Sequence, residues 1–94
     1  MSIEGKTIIV TGGTTGIGEA CARLFIERGA NVVMASNQQA EGEALEAELS
    51  KTSRARFIAC DVTQEDQVKN LIDSTVAAFG RIDAIHCNVG AWGQ

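Results

Sequence analysis

Residues Lys6-Thr7-Ile8-Ile9-Val10 run without a break into Thr11-Gly12-Gly13-Thr14-Thr15-Gly16-Ile17-Gly18, and this junction restricts the fold more than any other part of the chain. Ile8, Ile9 and Val10 are β-branched and apolar with no polar alternation, as a parallel strand covered on both faces requires. The glycines that follow let the backbone turn sharply and let another group come close to the main chain. Ile17, Ala20, Cys21, Leu24 and Phe25 then recur at helical spacing and predict one apolar stripe. Gly29 stops that helix, and a second strand, Asn31 to Ala35, follows at once. Strand, glycine turn, helix and strand within about 30 residues make a βαβ unit. Free N–H groups at the start of its helix favour negative charge, so the turn reads as a cradle for the pyrophosphate of a dinucleotide.

The alternation continues to the end of the chain. Gln39 to Lys51 reads as a second helix, with Ala40, Ala44, Leu45 and Leu49 inward and the glutamates outward. Ala55 to Cys60 reads as a third strand. Thr63 stands where a helix cap belongs, with Asp66 three residues on, a capping box with Asp in place of Glu or Gln. Val68, Leu71, Ile72, Thr75, Val76 and Phe79 form the strongest helical stripe, Gly80 ends it, and Ile82 to Cys87 supplies the last strand. The order β-α-β-α-β-α-β predicts an α/β fold, a Rossmann-like doubly wound parallel sheet with strand order 3-2-1-4, incomplete at its C-terminus. Residues 1–94 form part of one domain with no internal boundary. In that topology a ligand lies at the switch point between strands 1 and 4, and three loops meet there: Gly12 to Gly18, Asp61-Val62 and Cys87 to Gly90.

Composition excludes several alternatives. A formal charge of −4 argues against nucleic acid as a partner, because phosphate backbones are held by clustered Lys and Arg. Lys51, Arg54 and Arg56 are the one basic cluster and read as a solvated helix end. No apolar run approaches the roughly 18 residues of a membrane span, and the N-terminus lacks a basic-then-apolar leader, so the expected location is the cytoplasm. Cys21, Cys60 and Cys87 are odd in number and far apart, which supports neither disulfides nor a metal site. Cys21 and Cys60 are expected as small core residues, and His86, the only histidine, as a buried and satisfied side chain.

Taken together, these motifs resemble the N-terminal part of the classical short-chain dehydrogenase/reductase family. Members show T-G-x-x-x-G-I-G after the first strand, D-V after the third and N-N-A-G after the fourth. Thr11, Gly12, Gly16, Ile17 and Gly18 match the first element, Asp61-Val62 the second, and Asn88 and Gly90 the third, where Cys87 and Val89 depart from the pattern. Phe79-Gly80-Arg81-Ile82-Asp83 also resembles the run before the fourth strand. The resemblance covers essentially the whole chain and implies an NAD(P)-dependent oxidoreductase that transfers a hydride to or from a carbonyl or alcohol, acting as a homo-oligomer. It implies that Asp61 and Val62 hold the adenine, and that the loop with Asn88 and Gly90 closes on the cofactor ribose. Cys87 replaces an amide able both to donate and to accept. It also implies that Thr14, Thr15, Ser36 and Asn37 lie around the cofactor. Ser36 stands where NAD-preferring members carry Asp, and Asn37 and Thr15 where NADP users are often basic. Neither a carboxylate nor a cation is present, so the choice between NAD and NADP stays open, with Ser36 tilting it toward NADP.

The same resemblance implies a Tyr-x-x-x-Lys pair and a serine for the chemistry, yet the chain contains no tyrosine. No catalytic residue is therefore assigned, and a fragment or truncated product of a longer enzyme is expected. The fourth strand is left as an apolar edge, which calls for more chain or a partner. A self-standing nucleotide-binding module and a purely structural piece are the other two readings, and Trp92 is expected to pack beneath a loop.

Overall fold

The β-branched runs do form the centre of a parallel sheet. A computed structural model describes residues 3–12, 16–49 and 54–87, in the order β1 (Thr7–Thr11), α1 (Gly16–Glu27), β2 (Asn31–Ser36), α2 (Gln39–Leu49), β3 (Ala55–Ala59), α3 (Glu65–Phe79) and β4 (Ala84–Cys87). The strands lie in the order β3-β2-β1-β4, all parallel, as the sequence predicts. β1 is buried along its whole length, as both central strands of a doubly covered sheet must be.

Alternate residues divide the core into two layers. Ile8, Val10, Val32, Met34 and Ala55 pack with Ala22 and Ile26 of α1 and Leu45 of α2. Ile9, Val33 and Ala35 pack on the other face with Cys60 and Leu71, the latter from α3. Among the described residues, two helices therefore cover one face and one covers the other.

Several expected helix faces are rotated. In α1 the buried residues are Gly18, Ala22 and Ile26, with Phe25 partly buried against them, whereas Ile17, Ala20 and Leu24 are exposed and Cys21 is half-buried. The small Gly18 and Ala22 let the helix approach the sheet, which the larger Ile17 and Leu24 would prevent. In α2, Ala40 and Ala44 are exposed, Leu49 packs partly, and Gly42 and Leu45 point inward. Gly42 lies against the Phe57 ring of β3. Along α3 the predicted stripe holds for Leu71 and Thr75, with Val68, Ile72 and Phe79 partly buried, but Val76 is exposed.

The capping box does not form. α3 starts at Glu65, its N-cap is Gln64, and no side chain caps it. Thr63 instead donates both its N–H and its hydroxyl to Asp61 Oδ1, at 2.9 and 2.6 Å. With the N-cap at Gln64, Thr63 stands one residue too early for its hydroxyl oxygen to take a helix N–H, and the hydroxyl hydrogen goes to the nearby carboxylate. At the other end Gly80 closes the helix with φ 78° and donates its N–H to Val76 O.

β4 begins two residues later than predicted, because Ile82 packs onto the α3-side core and Asp83 turns to the start of β1. His86 is exposed rather than buried: β4 borders the sheet, and the ring meets Phe25 edge-on, with centroids 6.2 Å apart. Arg56 lies in β3 and Arg54 just before it, both exposed, so they do not belong to a helix end. No described helix is long and apolar enough to cross a membrane. Lys51 and Trp92 lie outside the described residues.

Candidate functional site

Parallel pairing brings the carboxyl ends of all four strands to one border of the sheet. Thr11 is registered with Ala35 on one side and Cys87 on the other, and Ser36 with Ala59. The residues just past the strands, Gly12, Asn37 and Asp61, therefore emerge side by side. Two further bonds extend the ladders there, from Gly12 N to Ala35 O at 2.7 Å and from Cys60 N to Ser36 O at 2.9 Å.

Gly12 and Gly16 both hold left-handed backbone, with φ of 68° and 57°. Such angles suit glycine because no Cβ crowds the carbonyl. A Cβ built on Gly16 meets nothing within 4 Å, so the space over the start of α1 is open. Gly18 is buried and serves close packing of α1 on the sheet, while the Ile17 side chain is 71% exposed. Thr11 is buried in the strand, and its hydroxyl lies 3.5 Å from the His86 carbonyl of β4. Thr14, Thr15, Asn88 and Gly90 lie outside the described residues.

At the end of β2, Ser36 is buried and its Oγ accepts the Gln38 N–H at 2.8 Å, which bends the chain into α2. Asn37 is exposed beside it. Asp61 is fixed by the two Thr63 bonds and by Gln67, whose Oε1 accepts the Asp61 N–H at 2.8 Å. The Thr63 hydroxyl, and then its N–H, hold the Asp61 carboxyl below the usual carboxylate range, so it is an anionic acceptor at neutral pH. Val62 stands half-exposed next to it. Burial, with the Asp61 charge adding to it, pushes the Cys60 thiol up, which is the opposite of an activated nucleophile. Among the described residues no three His, Cys, Asp or Glu gather as a metal site.

Sequence reasoning did not single out Gln67, which sits in the first turn of α3 and reaches back to the loop. Nor did it find Arg23 and Glu48, which join α1 to α2 through bonds of 2.7 and 3.1 Å. Glu19 also accepts from Arg23, at 2.8 Å, one helical turn away. Only the i,i+4 partner had a signal in the sequence.

A parallel 3-2-1-4 sheet with a left-handed glycine turn at its switch point defines a Rossmann-type dinucleotide fold. Residues 6–94 match the short chain dehydrogenase family, and the chain belongs to it. It is similar to tropinone reductase-like 2 of Erythroxylum coca, with 49% identity over 94% of this chain and 31% of that protein. The mitochondrial (-)-isopiperitenol/(-)-carveol dehydrogenase of Mentha piperita is 44% identical over 94% of this chain and 33% of its own length. Among solved structures, the 3-ketoacyl-(acyl-carrier-protein) reductase of Brucella melitensis, complexed with NADH, superposes with a TM-score of 0.84 and 31% identity. That match covers 89% of this chain and 34% of the other. The chain thus spans about a third of the length of these relatives.

Proposed function

We propose that this chain forms the cofactor-binding part of an NAD(P)-dependent short-chain oxidoreductase acting on a carbonyl or alcohol. The observation that carries the reading is the glycine turn: Gly12 and Gly16 are left-handed, and the space a Cβ would fill at Gly16 is open at the border where the strands end. That open space suits a pyrophosphate, which the main-chain N–H groups of Ile17 and Gly18 would hold, with Thr14 and Thr15 expected to contribute. Thr11 ties β1 to β4 beneath the turn. Asp61 and Val62 would take the adenine, Ser36 and Asn37 would meet the ribose 2′-position, and the loop with Asn88 and Gly90 would close on the cofactor ribose. Either NAD or NADP suits this set, because no carboxylate at Ser36 or Asn37 repels a 2′-phosphate and no cation there attracts one. Bound, the dinucleotide supplies the hydride chemistry; the chain's own residues hold and orient it.

The family assignment and the NADH complex of the Brucella protein support the cofactor class. With no tyrosine in the chain, the residue expected to donate or take the proton is lacking, so the 94 residues alone are expected to turn over no substrate. A second reading is a module that binds a dinucleotide without catalysis. We place the protein in the cytoplasm, where free Cys21 and Cys60 remain reduced, and expect the longer enzyme to be a homo-oligomer.

The test compares two glycines. Gly5 and Gly16 are both left-handed, at φ 78° and 57°, and a Cβ meets nothing at either. Valine at each imposes similar backbone strain, but Gly5 precedes β1, at the sheet border opposite the site. Gly16→Val is expected to abolish binding of NADH and NADPH in fluorescence titrations, and Gly5→Val to retain it. Equal affinity in the two variants would overturn the cradle assignment, and substrate turnover by the 94-residue chain would overturn the claim that the catalytic part is elsewhere.

A further inference from the structure

We propose that Thr63 and Gln67 are positioning residues that make the site selective for a 6-aminopurine, by holding Asp61 with one carboxylate oxygen occupied and the other open. The proposal rests on the reading that Asp61 lies at the adenine end of a bound dinucleotide.

Asp61 is held at three atoms. Its N–H donates to Gln67 Oε1 at 2.8 Å, its carbonyl accepts the Gln64 N–H at 2.9 Å, and its Oδ1 takes both Thr63 donors, at 2.9 and 2.6 Å. Oδ2 has no partner among the described residues. Two donors on Oδ1 fix the carboxylate rotamer, since turning it would break both bonds at once. Gln67 fixes the peptide on which that rotamer is carried. The result is a rigid acceptor, not a floppy surface carboxylate, two residues past the end of β3 at the border where the strands finish.

An acceptor-only group discriminates by sign. An exocyclic amino group donates to it, whereas a carbonyl at the same ring position places acceptor against acceptor. Discrimination of this kind needs the acceptor held in place, because a free carboxylate would rotate away from the unfavourable partner. None of the Thr63 and Gln67 bonds caps α3, whose N-cap makes no side-chain bond. They act on Asp61, and the Gln67 bond also ties the first turn of α3 to that loop.

The experiment measures dissociation constants of the full chain for NADH and for its 6-oxo counterpart, in which hypoxanthine replaces adenine. The wild-type protein is expected to favour NADH by about tenfold, the scale of one hydrogen bond to a charged group. Thr63→Val and Gln67→Leu should each shrink that ratio to about threefold or less, by weakening NADH alone. Thr63→Ser and Gln67→Glu, which keep the hydroxyl donor and the acceptor, should restore it. The ratio is insensitive to a share of unfolded molecules, because both ligands are read on the same preparation. Wild-type ratios in Thr63→Val and Gln67→Leu, with a collapsed ratio in Asp61→Ala, would overturn the positioning role and leave the adenine role of Asp61 standing. An Asp61→Ala protein with both affinities unchanged would instead overturn the adenine reading itself.

Discussion

Gly42 is the point at which α2 rests on the sheet, and no larger residue fits there. A Cβ at this position would be driven into the Phe57 ring of β3. Alanine in a helix is worth about 1 kcal/mol over glycine, so on propensity alone Gly42→Ala should stabilise. Overpacking against a ring costs about 1–3 kcal/mol, and α2 cannot retreat freely: Leu45 is locked in the core and Glu46 accepts the Phe57 N–H at 2.8 Å. We expect packing to win, with Gly42→Ala lowering the urea midpoint by an amount equivalent to about 1 kcal/mol, the difference of the two effects. Gly42→Ala with Phe57→Leu should recover stability relative to Phe57→Leu alone. A Gly42→Ala protein more stable than wild type would show that propensity outweighs the contact. The sequence carried no mark of this role, because a glycine inside a helical pattern looks the same whether it is tolerated or required.

At the scale of elements, β4 is joined to β1 by a reciprocal clasp at their amino ends. Thr7 N donates to Asp83 Oδ2 and Asp83 N to Thr7 O, both at 2.8 Å, and Arg81 pairs with Asp83 Oδ1 at 2.7 Å. The Arg81 guanidinium, and then the Thr7 N–H, hold the Asp83 carboxyl below the usual carboxylate range. A carboxyl depressed in the folded state contributes stability that is present above its unfolded value, near 3.9, and lost as pH falls through the lower folded value. Asp83→Asn is therefore expected to be less stable than wild type at pH 7, and the gap to narrow as pH falls below about 4. Chemical unfolding at pH 7, 5, 4 and 3 checks it, and a gap that stayed constant would remove the charge from the account. Strands such as β1 and β2 were legible in the sequence because continuous apolar runs allow few other placements. Helix faces were less so. The predicted stripe of α1, Ile17, Ala20, Cys21, Leu24 and Phe25, packs only through Phe25 and in part Cys21, whereas Gly18, Ala22 and Ile26 are the buried positions, because small residues allow a closer approach to the sheet. The Thr63 cap failed for a related reason: the capping spacing does not register that α3 starts at Glu65, which puts Gln64 at the N-cap and leaves the Thr63 hydroxyl to donate to Asp61.

For the whole molecule, topology makes a site out of separate motifs. Gly12, Ser36 and Asp61 lie far apart in the chain, and only parallel pairing brings them to one border, which is why strand order and the meeting of these residues at that border were legible together. The same topology leaves the two sides of the sheet unequal. At the outer edge of β3, Glu46 takes the Phe57 N–H and α2 packs over the strand, whereas β4 pairs only with β1 among the described residues. Ile85 is registered with Ile9, so it faces the α3 side, yet it is 50% exposed; Val76 of α3 is exposed as well. An open strand edge flanked by uncovered apolar side chains is a template for pairing with another chain. The isolated 94-residue chain is therefore expected to associate as its concentration rises. Ile85→Lys should suppress this, because a strand pairing at β4 would have to bury an ammonium group. A substitution at the β3 edge, Arg56→Glu, removes a positive charge without uncovering apolar surface and should leave association in place. Sedimentation velocity across a hundredfold range of concentration distinguishes these outcomes. Association that persists in Ile85→Lys but vanishes in Arg56→Glu would move the sticky edge to β3 and reverse the asymmetry argued from Glu46.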